Sequence, residues 1–587
     1  EMFDASVGSC SVMMPFGGKT QLTPSIASVS KIPVLDGKTT SCSILTYGFN
    51  PQLMEYSCFT GAMYSVLESM AKTVAVGGLL KETYFSFQEY FERLNKEATR
   101  WGKVTQALLG TIYVQDFFNL AAIGGKDSMS GTFNEISVPP TLISFACTHA
   151  NTKYIVSSEM KQVNSHLGVF VPKINEEGFP DLHSYEAIFN QVMKLTQEKK
   201  VLSSYVVDEG GIISCLFKMS LGNRIGFHID SQLDLLSYLP GAIIIETKDM
   251  VVEDYYHELG KTTAVGYEVN GVSFKEQEVF EAWINPLYDL YPVWVKNQTK
   301  EVKTLHHETS SKRYATNKVA QPLVCLPVFP GTNCEYDTKR AFEDEGAIGQ
   351  FVVFKNLNKE DVLNSIDRFV EVLDKSHILA LSGGFSSGDE PDGSAKFIVN
   401  VLQNTKVKQA IDRLLKREGL IIGICNGFQA LIKSGLLPYG EVKTLNDHDA
   451  TLYRNDIHRH ISLMAHTRVA SNQSPWLQDL RVGEDHMIAM SHGEGKFICN
   501  VDLLQTLIEN GQVAFQYVDE HNEASNHPTY NVNGSTYAIE GIVSKCGQIL
   551  GKMGHSERYV EDTFINIVGN KKQSIFKSGV NYFKGEK

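Results

Sequence analysis

Residues 419–438 read GLIIGICNGFQALIKSGLLP, and this stretch decides the fold of the second half of the chain. Gly419 to Cys425 is a short apolar run rich in isoleucine, the pattern of a strand buried on both faces. It runs directly into NGFQALIKSGLL, which has helical spacing. A cysteine between Gly423 and Gly427 at a strand-to-helix junction makes a sharp elbow: the flanking glycines permit the tight backbone and leave the thiol uncovered. The following helix N-terminus favours a thiolate and offers backbone N–H groups to an oxyanion. Most cysteines are buried packing residues, and the Gly-x-Cys-x-Gly setting is what marks Cys425 as a nucleophile.

Outward from this elbow the text keeps alternating strand and helix. PLVCLPVF (322–329) and HILALSGG (377–384) read as buried strands, and TKRAFEDEGA (338–347) reads as a helix. That alternation predicts an α/β domain with a central, mostly parallel sheet. Upstream, residues 297–320 are polar and aperiodic, and read as a linker. Before it the pattern is α+β. MYSVLESMAKTVAVG, FSFQEYFERLNKEA and YEAIFNQVMKLTQE read as helices, short strands alternate over 155–290, and a sub-domain boundary falls near residue 158. The expected organisation is therefore 1–158, 159–296, linker 297–320 and 321–587.

Composition narrows the function classes. The chain has 587 residues, 43% hydrophobic and 21% charged, with a formal charge of −13 and a mean hydropathy of −0.14. Length alone implies several domains. The acidic balance argues against a nucleic-acid binder, which needs a basic face, and leaves room for a local pocket that takes a phosphorylated small molecule. No apolar run reaches membrane-spanning length. Ten scattered cysteines without a Cys-x-x-Cys pair fit reduced thiols, hence a cytoplasmic protein.

A thiol nucleophile needs a base. GHSER (554–558) follows the apolar run QILGKM and sets His555 and Glu557 two residues apart, an offset that in extended geometry points both to one side. Glu557 would orient the imidazole and His555 would take the thiol proton.

With PGTNCEYD (330–337), LSGGFSSGD (381–389), GICNGFQALIKSGLLP (423–438), SHGEGKF (491–497) and GHSER in this order, the chain from Gln321 onward resembles the class I glutamine amidotransferases. More narrowly, it is similar to the glutaminase domain of the large phosphoribosylformylglycinamidine synthase family. The resemblance implies Cys425 as nucleophile, His555 as base and Glu557 as its partner. It implies an oxyanion hole near Gly384 and Asn426, and a glutamine pocket to which Gln429, His492 and Glu494 contribute. Two departures stand out: Ser387-Gly388-Asp389-Glu390-Pro391-Asp392 after the GGFS turn, and Met553-Gly554-His555-Ser556-Glu557 where the family has Pro-His-Pro-Glu.

The first 300 residues resemble the second synthetase half of the same family, of aminoimidazole-ribotide-synthetase type, through SVGSCSVMMPFGGK (6–19), ESMAKTVAVGG (68–78), GGKDSMSG (124–131), VPPTLISFA (138–146) and DEGGIISCLFKM (208–219). Three Gly-Lys-Thr triplets lack the glycine five residues upstream, so no Walker A loop is present. What the resemblance implies is ATP in a different cradle, with Mg2+ on acidic oxygens at Glu68 and Glu209. The family's asparagine four residues after the first acid is Lys72 here, a residue suited to phosphate and not to magnesium. Lys126, Asp127 and Ser128 sit in a Gly-flanked loop that reads either as a nucleotide or interface contact or as a capped turn.

The resemblance thus implies glutamine- and ATP-dependent conversion of formylglycinamide ribotide to its amidine in purine biosynthesis, a C–N ligase reaction with ammonia channelled internally. This chain would supply the glutaminase and half of the synthetase, with the missing N-terminal half provided in cis or in trans. The start at Glu1 reads as the C-terminal portion of a longer polypeptide. Two rivals are a bare glutaminase and a non-catalytic scaffold. His306, His307 and Glu308 read as solvated, His458 and His460 as pocket or interface contacts, and Cys325 and Cys334 as inert packing thiols.

Overall fold

The computed structural model describes residues 4–34, 37–295, 301–387, 389 and 393–585. Gly388, Glu390, Pro391 and Asp392 of the loop after the GGFS turn, and 297–300 of the expected linker, lie outside the described residues. The chain divides into two units: Cys10–Pro286 with Asp562–Val568, and Leu287–Glu561 with Gly569–Lys587 and the described part of Glu1–Ser9. No helix among the described residues is long and apolar enough to cross a membrane.

The unit built on Cys10–Pro286 has two large sheets. Five strands order as Ser28–Lys31, Ser41–Gly48, Thr141–Asn151, Tyr84–Tyr90 and Ala121–Ser128, and a seven-stranded sheet is drawn from residues 166–274. Between them runs the helix Cys58–Ala75, capped by the Ser57 hydroxyl and buried over nearly its whole circumference. Its buried polar residues are satisfied in pairs: Thr73 with Thr46 at 2.9 Å, Ser69 with Ser144 at 2.9 Å, and Glu68 with Lys72.

Two expectations are corrected here. FSFQEYFERLNKEA is not a helix: Tyr84–Tyr90 is a strand whose exposure alternates, with Phe85, Phe87 and Glu89 inward and Tyr84, Gln88 and Tyr90 outward. The closely spaced aromatics mimic a helical stripe, yet they carry the two-residue period of a half-buried strand. The Gly-flanked GGKDSMSG is not a loop either, because Ala121–Ser128 forms an edge strand parallel to Tyr84–Tyr90.

The second unit is built on a nine-stranded sheet. Strands Ile348–Val353, Leu323–Val328, Ile378–Leu381, Leu420–Ile424 and Ile549–Lys552 pair in parallel, as the alternation predicted. Beyond Ile549–Lys552 the sheet continues through Ile539–Val543, Val513–Tyr517, Ile461–Val469 and Asp485–His492, all antiparallel. The sheet is therefore half parallel and not mostly so. Short connections such as residues 544–548 permit only antiparallel pairing.

Residues 301–320 carry no helix or strand but do not hang free. Leu305 is buried, and backbone bonds join His307 to Ala470, Ala315 to Tyr582 and Val319 to Phe583. This strap lies along the core of the second unit, held by main-chain bonds that polar side chains do not advertise. His306 is exposed, with Glu308 beside it at 3.5 Å.

Candidate active site

The strand Leu420–Ile424 ends at Cys425, whose N–H bonds to the Lys552 carbonyl at 2.9 Å in continuation of the parallel ladder. The backbone then turns through φ 52°, ψ −106° at Cys425, a conformation L-residues avoid, and the helix Asn426–Lys433 starts at the next residue. Both glycines of the motif are steric necessities. A Cβ at Gly427 would meet the Leu381 carbonyl oxygen at 2.0 Å, and one at Gly423 would meet the Gly427 carbonyl oxygen at 2.6 Å. Small residues let the helix sit down on the sheet, so its unpaired first-turn N–H groups lie beside the thiol.

His555 follows the next parallel strand, Ile549–Lys552. Its N–H bonds to Ala489 O at 2.8 Å, and its Nδ1 donates to Glu557 Oε1 at 2.6 Å. Both side chains are fully shielded from solvent. Burial and the Arg558 guanidinium push His555 down; Glu557, with the Cys425 and Cys334 sulfurs, outweighs them and holds the imidazole well above its usual range. Glu557 is lowered: burial raises it, and His555 and Arg558 more than reverse this. Nε2 of His555 has no hydrogen-bond partner among the described residues, while Cys425 Sγ donates to the Ser491 carbonyl at 3.5 Å.

Around this centre the structure gathers the other expected residues. Asn426 Nδ2 donates to Gln429 Oε1 at 2.8 Å and to Asp389 Oδ2 at 3.0 Å, and Gln429 Nε2 donates to the Glu494 carbonyl at 2.6 Å. The Glu494 carboxylate accepts from Ser394 N at 3.0 Å. His492 is buried against Asn455, and burial lowers it to about 3, so it is neutral. Gly384 bridges to Thr332, and Gly383 lies against His555: a Cβ there would meet His555 Cε1 at 2.7 Å.

The sequence reading missed a second ring of groups. Arg558, 2% exposed, donates to Asp4 at 2.6 Å, Ser6 Oγ at 2.8 Å and Cys334 Sγ at 3.0 Å. Arg340 bonds the Glu557 carbonyl at 2.8 Å and Ser9 Oγ at 2.7 Å. Cys325 is a core thiol as expected, and Cys334, also buried, lies against the site, its Sγ 3.9 Å from His555 Nδ1. An arginine directly after Glu557 and a cysteine inside PGTNCEYD were the available signals.

In the other unit, Glu68 and Lys72 form a buried pair at 2.6 Å, and Lys72 Nζ also donates to Tyr47 O at 2.9 Å. Burial raises Glu68, and Lys72 partly offsets this. Glu209 is exposed at the turn before the helix Gly211–Leu221. Lys126, Asp127 and Ser128 lie on the exposed edge strand, with Lys126 Nζ bonded to Asp127 O at 3.2 Å. These residues do not fit a magnesium site, because the Lys72 ammonium already holds the Glu68 carboxylate. The sole group of three or more ligand-type side chains within 4.8 Å of one another, among the described residues, is Cys334, His555 and Glu557.

Residues 321–583 match the family model of the CobB/CobQ-like glutamine amidotransferase domain. The elbow, the His555–Glu557 pair and the Asn426–Gln429 network all fall inside that match. Among solved structures, PurLQS from Thermotoga maritima is similar at 27% identity over 45% of this chain and 99% of that one, with a TM-score of 0.33. T. maritima PurL complexed with ATP is similar at 15% identity, over 44% of this chain and 39% of that one, with a TM-score of 0.34. T. maritima PurL complexed with FGAR is similar at 17%, over 44% and 37%, also with a TM-score of 0.34. This chain thus spans about two fifths of the length of those two PurL structures.

Proposed function

We propose that the unit containing residues 321–583 is a glutaminase in which Cys425, His555 and Glu557 carry the reaction. The observation behind this reading is the strained elbow at Cys425, within electrostatic reach of a buried His555 that Glu557 orients at 2.6 Å. Attack of the Cys425 thiolate on the side-chain amide of glutamine forms a carbon–sulfur bond. The oxyanion that results is met by N–H groups at Asn426 and near Gly384. Protonated His555 gives its proton to the leaving nitrogen, which departs as ammonia and leaves a thioester. The now neutral imidazole takes a proton from water, whose oxygen attacks the thioester; the carbon–sulfur bond breaks, releasing glutamate and restoring the Cys425 thiolate beside protonated His555. Gln429, Asn426 and Glu494 line the glutamine pocket.

The ammonia serves, in this reading, to convert formylglycinamide ribotide to formylglycinamidine ribotide with ATP, in purine biosynthesis, together with a further synthetase half. ATP supplies the activating phosphoryl group, and Lys72, Lys126, Asp127 and Ser128 are the candidate nucleotide contacts. Support comes from the motif resemblance of residues 6–219. A second reading, a glutaminase whose other unit is a scaffold, is favoured by the Glu68–Lys72 pair standing where a magnesium ligand is expected.

Glutamate release from glutamine, by this chain and by Cys425→Ala, with and without ATP plus formylglycinamide ribotide, tests both. Release that depends on Cys425 and responds to the additions supports the first reading. Release that ignores them supports the second, and no release under any condition refutes both.

A further inference from the structure

A second thiol, Cys334, stands beside Nδ1 of the imidazole, the nitrogen that Glu557 orients. Cys334, His555 and Glu557 are all buried, and each presents a ligand atom within 4.8 Å of the others. The Cys334 Sγ to His555 Nδ1 separation is 3.9 Å. A tetrahedral zinc ion with Zn–S of about 2.3 Å and Zn–N of about 2.0–2.1 Å needs about 3.6 Å between those atoms. Glu557 Oε1 is engaged with His555, but Oε2, on a fully buried side chain, has no hydrogen-bond partner among the described residues.

We propose that Cys334, His555 and Glu557 bind one soft divalent cation, zinc above all, and that occupation of this site switches off the glutaminase. Sulfur, imidazole and a single carboxylate suit zinc, whereas magnesium and calcium demand oxygen. The charges close: a dication is neutralised by the Cys334 thiolate and the Glu557 carboxylate, and the Arg558 cation beside it by Asp4. Arg558 donating to Cys334 Sγ at 3.0 Å supplies the N–H···S support that metal-bound thiolates use in their outer shell. On binding, the Cys334 thiol gives up its proton and its bond to Asn333 Oδ1, and His555 Nδ1 exchanges its proton for the metal. Both protons leave to solvent and no redox change occurs. The metal then replaces the Nδ1 proton that Glu557 holds, and the remaining Nε2–H cannot be given up without forming an imidazolate, so His555 can no longer alternate between its protonated and neutral forms.

The inhibitory consequence rests on the glutaminase reading; the binding itself does not. The test uses the full chain stripped of metal, with cobalt(II) as the probe and zinc as competitor. One equivalent of cobalt should give a thiolate-to-metal charge-transfer band, abolished by Cys334→Ser and by Cys334→Ala but kept in Cys425→Ala, and zinc should displace it. Native mass spectrometry of the wild-type chain should likewise show one bound zinc that a chelator removes, a readout that needs no variant to fold. Zinc should suppress glutamate release by the wild-type chain at least about tenfold more strongly than by Cys334→Ser, reversibly with a chelator. Absence of the band, or its loss in Cys425→Ala but not in Cys334→Ser, would overturn the site. A chain that shows the Cys334-dependent band but never releases glutamate would keep the site and refute the glutaminase.

Discussion

Beneath the loop that carries His555 lies an ion pair without any access to water, Lys552 with Glu540 at 3.5 Å. Lys552 Nζ also donates to Gly554 O at 3.0 Å and Ser556 Oγ at 2.8 Å, and Glu540 Oε1 accepts from Gly554 N at 2.6 Å. The pair therefore grips the residues on both sides of His555. Burial lowers Lys552, and Glu540 and Glu557 only partly restore it. At an effective dielectric of about 20, two unit charges at this distance attract by about 5 kcal/mol, against several kcal/mol of lost hydration for each. Gain and cost nearly cancel, so the pair is near neutral as a unit and expensive to halve. Lys552→Met should cost about 3–5 kcal/mol by stranding Glu540, and Glu540→Gln about 3 kcal/mol by stranding Lys552. The double variant should cost only about 2 kcal/mol, for the two hydrogen bonds that Met cannot make. Urea unfolding of the full chain, read by hydrogen-exchange mass spectrometry at the strand Ile549–Lys552, gives the cycle. A coupling energy below about 0.5 kcal/mol, with the single costs simply adding, would refute the argument.

Two further outcomes follow from local geometry. Cys425 has φ 52°, so Cys425→Gly should be more stable than Cys425→Ala by about 0.5–2 kcal/mol, although both remove the proposed nucleophile; the reverse order in thermal unfolding would show the elbow is unstrained. Glu89 is buried opposite Asp127, and burial first, then Asp127, pushes its carboxyl from 4.5 up to about 7. Because its folded value exceeds the unfolded one, its contribution is fully present below pH 4.5 and is lost as pH rises through 7. Between pH 5 and pH 8 the wild type should therefore lose about 2–3 kcal/mol relative to Glu89→Gln, and parallel urea curves for the two proteins would exclude this.

What the sequence made legible follows the range of the interaction concerned. The parallel half of the nine-stranded sheet could be read because each strand, such as Leu420–Ile424, is a continuous apolar run followed by its own helix. The antiparallel half was hidden because Ile461–Val469 and Asp485–His492 are joined through an irregular excursion, and nothing local in either says which neighbour it takes. Tyr84–Tyr90 misled for a different reason. Its alternating aromatics lie within a longer stretch of good helix formers, FERLNKEA, and propensity gave way to pairing with Thr141–Asn151.

The site divides the same way, and the division says what kind of information each residue holds. Cys425 was legible because its chemistry needs neighbours at fixed offsets: Gly423 and Gly427 must be small for the elbow to close, and they stand two residues to either side. His555 and Glu557 were legible because residues two positions apart in sequence are also direct partners in space. Cys334 and Arg558 meet across 224 positions, and Asp4 joins Arg558 across 554, so no spacing rule reaches them. Their placement is instead a consequence of the parallel order, since Cys334 follows the strand Leu323–Val328 and His555 follows Ile549–Lys552, and both loops leave the same end of one sheet. Side chains at that end converge however far apart they are numbered. A thiol read along the chain as packing thereby becomes, read across the sheet, a neighbour of His555.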